Sequence, residues 1–191
     1  PKDGPLILVA NHPFGILDGL ILGYIMSKSR PDFKILANQV FCESDDLNNI
    51  ILPISFDKTK EASKMNIATR LSALNFLDNG GAIGVFPGGT VSTSQSPFGV
   101  PMDPGWRSFT AKMITRSDAQ VVPIFFEGQN SRLFQVASHI HFNLRMGLLI
   151  KEFKSKVGNP VKIAIGNPLS DTAIKSRSGN PRILMDFLRE E

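Results

Sequence analysis

The sequence predicts one α/β domain with a mostly parallel or mixed central sheet covered by helices on both faces. Three observations predict it. Short apolar runs recur without polar alternation, as strands buried on both faces require. Helical stretches separate those runs. No internal repeat, low-complexity tract or linker divides the chain, and its 191 residues suit one domain with a full core.

Leu6 to Ala10 is the first buried strand, broken by Asn11-His12-Pro13-Phe14-Gly15. Ile16 to Ser27 is a helix, apolar on nearly all sides and read mainly as core. Lys34 to Ala37 and Ile50 to Ser55 are further strands, with a loop or helix start at Glu43 to Asp46. Glu61 to Leu77 is an amphipathic helix presenting Met65, Ala68, Leu71, Leu74 and Leu77, and Asn79-Gly80-Gly81 stops it. Ala82 to Phe86 is a buried strand ended by Pro87-Gly88-Gly89. Residues 92–104, rich in Ser, Thr, Gly and Pro, form a loop expected at the active site. Gly105 to Arg116 is helical, Gln120 to Phe126 a strand and Ser131 to Ser138 a helix. Val161 to Ile165 is a late strand and Pro181 to Arg189 a closing helix.

The net charge is +4. Residues 1–142 carry 12 basic and 12 acidic side chains, and residues 143–191 carry nine and five, so the excess lies in the last quarter. Such a patch suits a solvated surface equally with anionic headgroups or an acidic carrier. Nucleic acid is not an expected partner, because no basic run alternates with stacking aromatics. The single cysteine, Cys42, excludes an intrachain disulfide and reads as a small core residue. No apolar run reaches the roughly 18 residues a spanning helix needs. His139 and His141 lack a partnering Cys or carboxylate pattern, so they read as surface and no metal site is expected.

Two segments carry chemistry, and each follows a predicted strand, where ligands collect in open α/β sheets. In the first, His12 stands at a strand tip and Asp18 lies just beyond a turn containing Pro13 and Gly15. Imidazole, with an ordinary pKa near ~6.5, suits proton removal from an attacking hydroxyl or amine. A carboxylate beside it holds the tautomer and stabilises the imidazolium. The pair cannot face each other on one straight helix, so the turn must bring Asp18 back. The second segment is Phe86-Pro87-Gly88-Gly89-Thr90-Val91-Ser92. Glycines after a strand let backbone N–H groups approach a phosphate or oxyanion, and Thr90 and Ser92 add hydroxyls. Neither a P-loop nor a dinucleotide fingerprint is present.

Together the segments resemble the glycerolipid acyltransferases of the lysophosphatidate acyltransferase type. That family carries Asn-His-x4-Asp, then Phe-Pro-Glu-Gly-Thr-Arg-Ser roughly 70 residues later. Asn11-His12 and Asp18 match the first pattern, and Phe86-Pro87, Gly89-Thr90 and Ser92 the second. Val122-Pro123-Ile124 and Gly166-Asn167-Pro168-Leu169 resemble later family segments, so the likeness covers most of the chain. Three departures stand out. The His–Asp gap is one residue longer, Gly88 replaces the glutamate, and Val91 replaces the arginine. In the family those two charged residues hold a glycerol phosphate, so the resemblance points to a different acceptor here. The hemolysin-like acyltransferases related to ornithine-lipid synthesis resemble the chain further, with Asn-His-Pro-x-Gly-x-x-Asp-Gly, Phe-Pro-x-Gly-x-Val-Ser and a match to Phe126-Glu127-Gly128-Gln129-Asn130-Ser131.

The resemblance implies an acyltransferase domain over residues 1–191. Because the chain opens at Pro1 without Met, it is expected to be part of a longer one. The implied reaction moves a fatty acyl group from a thioester of acyl carrier protein or coenzyme A to a lipid or lysolipid hydroxyl or amine. His12 is the implied base and Asp18 its orienting partner. The co-substrate thioester is the only cofactor expected. Backbone N–H groups near Gly15 or Gly88-Gly89 would hold the oxyanion. Asn11, Gly15, Phe86, Pro87, Gly88, Gly89, Thr90 and Ser92 form the expected binding surface, with Glu127 and Arg132 added for charged groups. Trp106 reads as core packing. The expected location is peripheral, on the cytoplasmic face of a membrane. Two alternatives stay open: a hydrolase using the same pair on water, and a non-catalytic lipid-binding or membrane-perturbing protein.

Overall fold

The computed structural model describes residues 1–190. The elements run β1 (Leu6–Ala10), α1 (Ile16–Ser29), β2 (Phe33–Asn38), a 3₁₀ turn (Gln39–Glu43), α2 (Asp45–Asn48), β3 (Ile51–Ile54), α3 (Lys60–Asp78) and β4 (Ala82–Val85). They continue with β5 (Thr93–Ser94), β6 (Pro101–Met102), α4 (Ser108–Arg116), β7 (Gln120–Phe126), α5 (Arg132–Ile140), α6 (Phe142–Lys156), β8 (Ile163–Ile165), α7 (Asp171–Lys175) and α8 (Pro181–Glu190).

Six strands form the central sheet in the order β3-β2-β4-β1-β7-β8. The first five run parallel, and β8 returns antiparallel along β7 at the edge. Strand β1, between β4 and β7, is buried along its whole length. Its side chains alternate between two cores. Ile7 and Val9 join Leu77, Met113 and Leu184 under α3, α4 and α8. Leu6, Leu8 and Ala10 join Leu22 and Met26 under α1. A strand with apolar neighbours on both faces must read as a continuous apolar run, which is why β1 was legible. A third cluster, of Val91, Phe134 and Leu149, ties the glycine-rich turn to α5 and α6.

Four expectations are corrected. Helix α3 buries Ala62, Thr69, Ala73 and Leu77, while Leu71 is 63% exposed. Small residues let α3 approach β3 closely, and the Thr69 hydroxyl donates to the Pro53 carbonyl at 2.6 Å, which sets the rotation. Helix α1 is less buried than its composition suggests. Leu22 and Met26 are core, but Leu20 and Tyr24 are exposed, because this face borders a cavity instead of a packed neighbour. Cys42 lies half-buried in the 3₁₀ turn and not in the core. Helix α6 was not expected from the sequence at all. Its N-cap is His141, whose Nδ1 accepts from the Asn143 N–H at 3.1 Å. It buries Leu149 and Glu152, and Glu152 accepts from the Ser131 N–H at 3.0 Å and from the Ser131 hydroxyl, anchoring the start of α5. The 92–104 loop contains the short antiparallel pair β5–β6.

Candidate active site

The end of β1 delivers Asn11 and His12. Asn11 mimics a strand residue: its amide donates to the Phe126 carbonyl at 3.0 Å and accepts from the Phe126 N–H at 2.7 Å. That clamp ties β1 to β7 at the strand tip. The chain then turns sharply through Gly15, at φ 84° and ψ −114°, a conformation open essentially to glycine. A Cβ there would lie 2.9 Å from Leu149 Cδ1 and 3.0 Å from Val91 Cγ2, so the space is closed as well.

The turn brings Asp18, in the first turn of α1, back to His12. Asp18 Oδ2 lies 3.0 Å from His12 Nδ1, and the carboxylate is fully buried. Oδ2 also accepts from the Phe14 N–H at 2.8 Å and the Gly15 N–H at 2.9 Å. The partial positive charge of a helix N-terminus adds to these donors, which is how a buried carboxylate remains tolerable. The imidazole N–H is not aimed at Oδ2, so the 3.0 Å contact falls short of an aligned hydrogen bond. Loose alignment of this kind is common in unliganded acid–base pairs. Among the described residues, Asp18 Oδ1 has no partner.

The glycine-rich turn follows β4 and closes over the histidine. Phe86 stacks on the imidazole, with ring centroids 4.3 Å apart. The Ser92 N–H donates to the His12 carbonyl at 2.8 Å. Two of the N–H groups expected to face an oxyanion are already engaged. That of Gly15 donates to Asp18, and that of Gly89 donates to the Phe86 carbonyl at 3.0 Å. The Pro87 carbonyl accepts from the Arg107 N–H at 3.1 Å.

Asp103 is one of two residues here, with Arg145, that the sequence did not single out. Its Oδ1 accepts from the His12 N–H at 3.1 Å and from the Ser92 hydroxyl, and its Oδ2 accepts from the Trp106 indole at 2.9 Å. One carboxylate thus joins both motifs. A Cβ on Gly88 would meet Asp103 Oδ2 at 3.2 Å, so the glycine at this position makes room for that carboxylate. Trp106 packs against the core as expected.

The remaining expected residues are dispersed. The Thr90 hydroxyl accepts from Arg145 Nη2 at 3.1 Å. Glu127, 60% exposed, pairs with Lys162 at 3.4 Å across β7 and β8. Arg132 donates to the Gly99 carbonyl at 2.7 Å, holding the β5–β6 loop. Arg145, on the unexpected helix α6, donates to Thr90, to Thr93 and to the Val91 carbonyl, the last at 2.9 Å. Burial holds its guanidinium below the ordinary arginine value. Among the described residues, no group of three His, Cys, Asp or Glu side chains is placed to hold a metal ion.

A cavity of about 1160 Å³ adjoins this turn. Its walls include Gly15, Thr90 and Val91, and apolar side chains such as Leu20, Ile35 and Ile150. It is large enough for an alkyl chain and mostly apolar, as lipid-binding cavities are.

Residues 2–191 match the family described as Acyltransferase. The chain belongs to that acyltransferase family. Two curated relatives are similar to it, both named lyso-glycine lipid O-acyltransferase. The one from Phocaeicola vulgatus is 29% identical over 177 residues, 88% of this chain and 61% of its own length. The one from Bacteroides thetaiotaomicron is 28% identical, over 88% of this chain and 62% of its own length. The acyltransferase domain described here therefore spans less than two thirds of either relative.

Proposed function

We propose that this acyltransferase domain moves a fatty acyl group from a thioester of acyl carrier protein or coenzyme A to a hydroxyl of a lysolipid, of the lyso-glycine lipid class. The observation that carries the reading is the His12–Asp18 contact at 3.0 Å, made across a turn whose Gly15 lines the large apolar cavity. Among the described residues nothing hydrogen-bonds His12 Nε2, which leaves that nitrogen for the acceptor hydroxyl. His12 takes the hydroxyl proton as the oxygen attacks the thioester carbonyl. The carbon–sulfur bond then breaks, and the departing thiolate recovers the proton from the imidazolium. Asp18 stabilises that imidazolium, and its backbone bonds keep it in place. The N–H groups of Gly88 and Thr90, free of acceptors among the described residues, are the remaining backbone donors for the oxyanion. The names of the relatives favour a hydroxyl over an amine as acceptor.

Peripheral membrane contact, at the cytoplasmic face, completes the reading. Among the described residues no helix is long and apolar enough to cross a membrane. Tyr24, Phe142, Met146 and Ile150 are exposed around the cavity, and Lys151 and Lys154 stand nearby on α6. Apolar groups beside cations are the chemistry of an interfacial face.

The test supplies acyl-coenzyme A or acyl carrier protein thioester with and without a lyso-glycine lipid. Acylated lipid appearing in step with released thiol supports transfer. Free fatty acid formed at the same rate in both mixtures, with no acylated lipid, identifies a hydrolase and overturns the reading.

A further inference from the structure

The cavity wall carries two basic residues, Arg107 and Arg145, and one acidic residue, Asp57. Both arginines converge on one short stretch of backbone. Arg107 Nε lies 3.2 Å from where a Cβ on Gly89 would stand, and Arg145 Nη2 lies 3.1 Å from the neighbouring Thr90 hydroxyl. Among the described residues neither forms an ion pair. Arg145 gives its bonds to three neutral oxygens and rests over the Phe134 ring at 5.1 Å. Arg107 lies over the Phe56 ring at 5.1 Å. Asp57 is engaged by the Ser55 hydroxyl at 3.1 Å.

Arg107 is exposed, but Arg145 is half-buried; withdrawing a cation from water without a counter-charge is costly, and hydrogen bonds to neutral groups offset only part of that. The same bonds hold the guanidinium in one position, so an anion arriving there meets a donor that is already oriented. The location adds to the case. Arg145 Nη2 donates to the carbonyl of Val91 at 2.9 Å, in the glycine-rich turn that follows β4. Helix α6 thus sets a guanidinium against that turn.

We infer that Arg145, assisted by Arg107, binds the carboxylate headgroup of the acceptor lipid on the cavity wall. The inference rests on the proposed transfer to a lyso-glycine lipid, because a glycine acylated through its nitrogen ends in a carboxylate. A single negative charge also suits a wall that carries Asp57, which opposes a second one.

Calorimetric binding tests this without turnover. The probes are N-palmitoylglycine and N-palmitoylglycinamide, each below its aggregation concentration, and lysophosphatidate as the phosphate arm. The unaltered protein should favour the acid over the amide by about 10- to 100-fold, as a charge-assisted bond supplies. Arg145→Gln should reduce that ratio to about 3-fold or less while amide affinity holds, because the amide does not use the charge. Arg145→Lys should keep part of the preference, which also covers the case in which the glutamine variant fails to fold. Equal binding of acid and amide by the unaltered protein overturns the inference, as does an undiminished ratio in folded Arg145→Gln. Lysophosphatidate binding more than about 10-fold tighter than the acid overturns the carboxylate assignment in favour of phosphate. Failure of the functional reading looks different: the acid is preferred in binding, yet no acceptor is acylated.

Discussion

The ring of Phe86 lies against the imidazole of His12, with centroids 4.3 Å apart and planes 28° from parallel. This contact joins the two motifs, since Phe86 directly follows β4 at the start of the glycine-rich turn and His12 lies two residues beyond β1. Aromatic pairs of this kind contribute about 0.5–1.5 kcal/mol beyond area burial. Phe86→Ala should therefore lower stability by about 2–4 kcal/mol, and release the ring to other rotamers, reducing turnover about 10-fold. Phe86→Tyr should retain the stack and most activity. Thermal unfolding together with the transfer assay checks both.

Gly15→Ala is expected to harm stability and activity together. The residue's φ of 84° and the Leu149 Cδ1 atom 2.9 Å from a built Cβ act in the same direction. Strain of this type costs about 1–3 kcal/mol. Relaxing it moves the turn that sets the His12–Asp18 distance. Urea unfolding measures the cost, and the transfer rate of the folded fraction reports the displacement.

Asp103→Ala should be more damaging than an ordinary loop substitution. It leaves the His12 N–H, the Ser92 hydroxyl and the Trp106 indole without their acceptor. A buried donor left unpaired costs about 1–3 kcal/mol. The expected total is about 3–5 kcal/mol with impaired transfer, and Asp103→Asn should recover part of it. Chemical denaturation of the two variants separates these outcomes.

Glu127→Ala serves as the contrasting case. Its carboxylate is 60% exposed and meets Lys162, itself 79% exposed, at 3.4 Å. Such pairs contribute about 0–1 kcal/mol. Stability and turnover should both stay within error of the unaltered protein. A large loss of activity in the transfer assay would show that the acceptor reaches this edge of the sheet.

Strands β1 and β4 were legible because burial on both faces leaves an apolar run in the sequence. The His12–Asp18 turn was legible because proline and glycine mark it. Helix α6 was not. It begins one residue after α5, on a histidine cap, and its apolar residues serve two surfaces, with Leu149 in the core and Ile150 on the cavity. That spreads them around the helix and blurs the single-stripe periodicity on which recognition depends. Asp103 and Arg145 were hidden for another reason. Asp103 lies among prolines and glycines and resembles a turn residue, yet its partners include His12, 91 positions away. Arg145 reaches Thr90, 55 positions away. The Glu127 carboxylate invited a substrate role by its motif, while its place at the β7–β8 edge follows only from the antiparallel return of β8.

The central claim is that His12 removes the acceptor's proton with Asp18 holding it ready. The most direct measurement is the single-turnover rate of acyl transfer to a saturating lyso-glycine lipid, compared between the unaltered protein and His12→Ala. The rate should fall on the order of 10²- to 10⁴-fold, as loss of a general base requires, with acceptor binding retained. A His12→Ala protein that folds, binds the acceptor and transfers at the original rate would contradict the account.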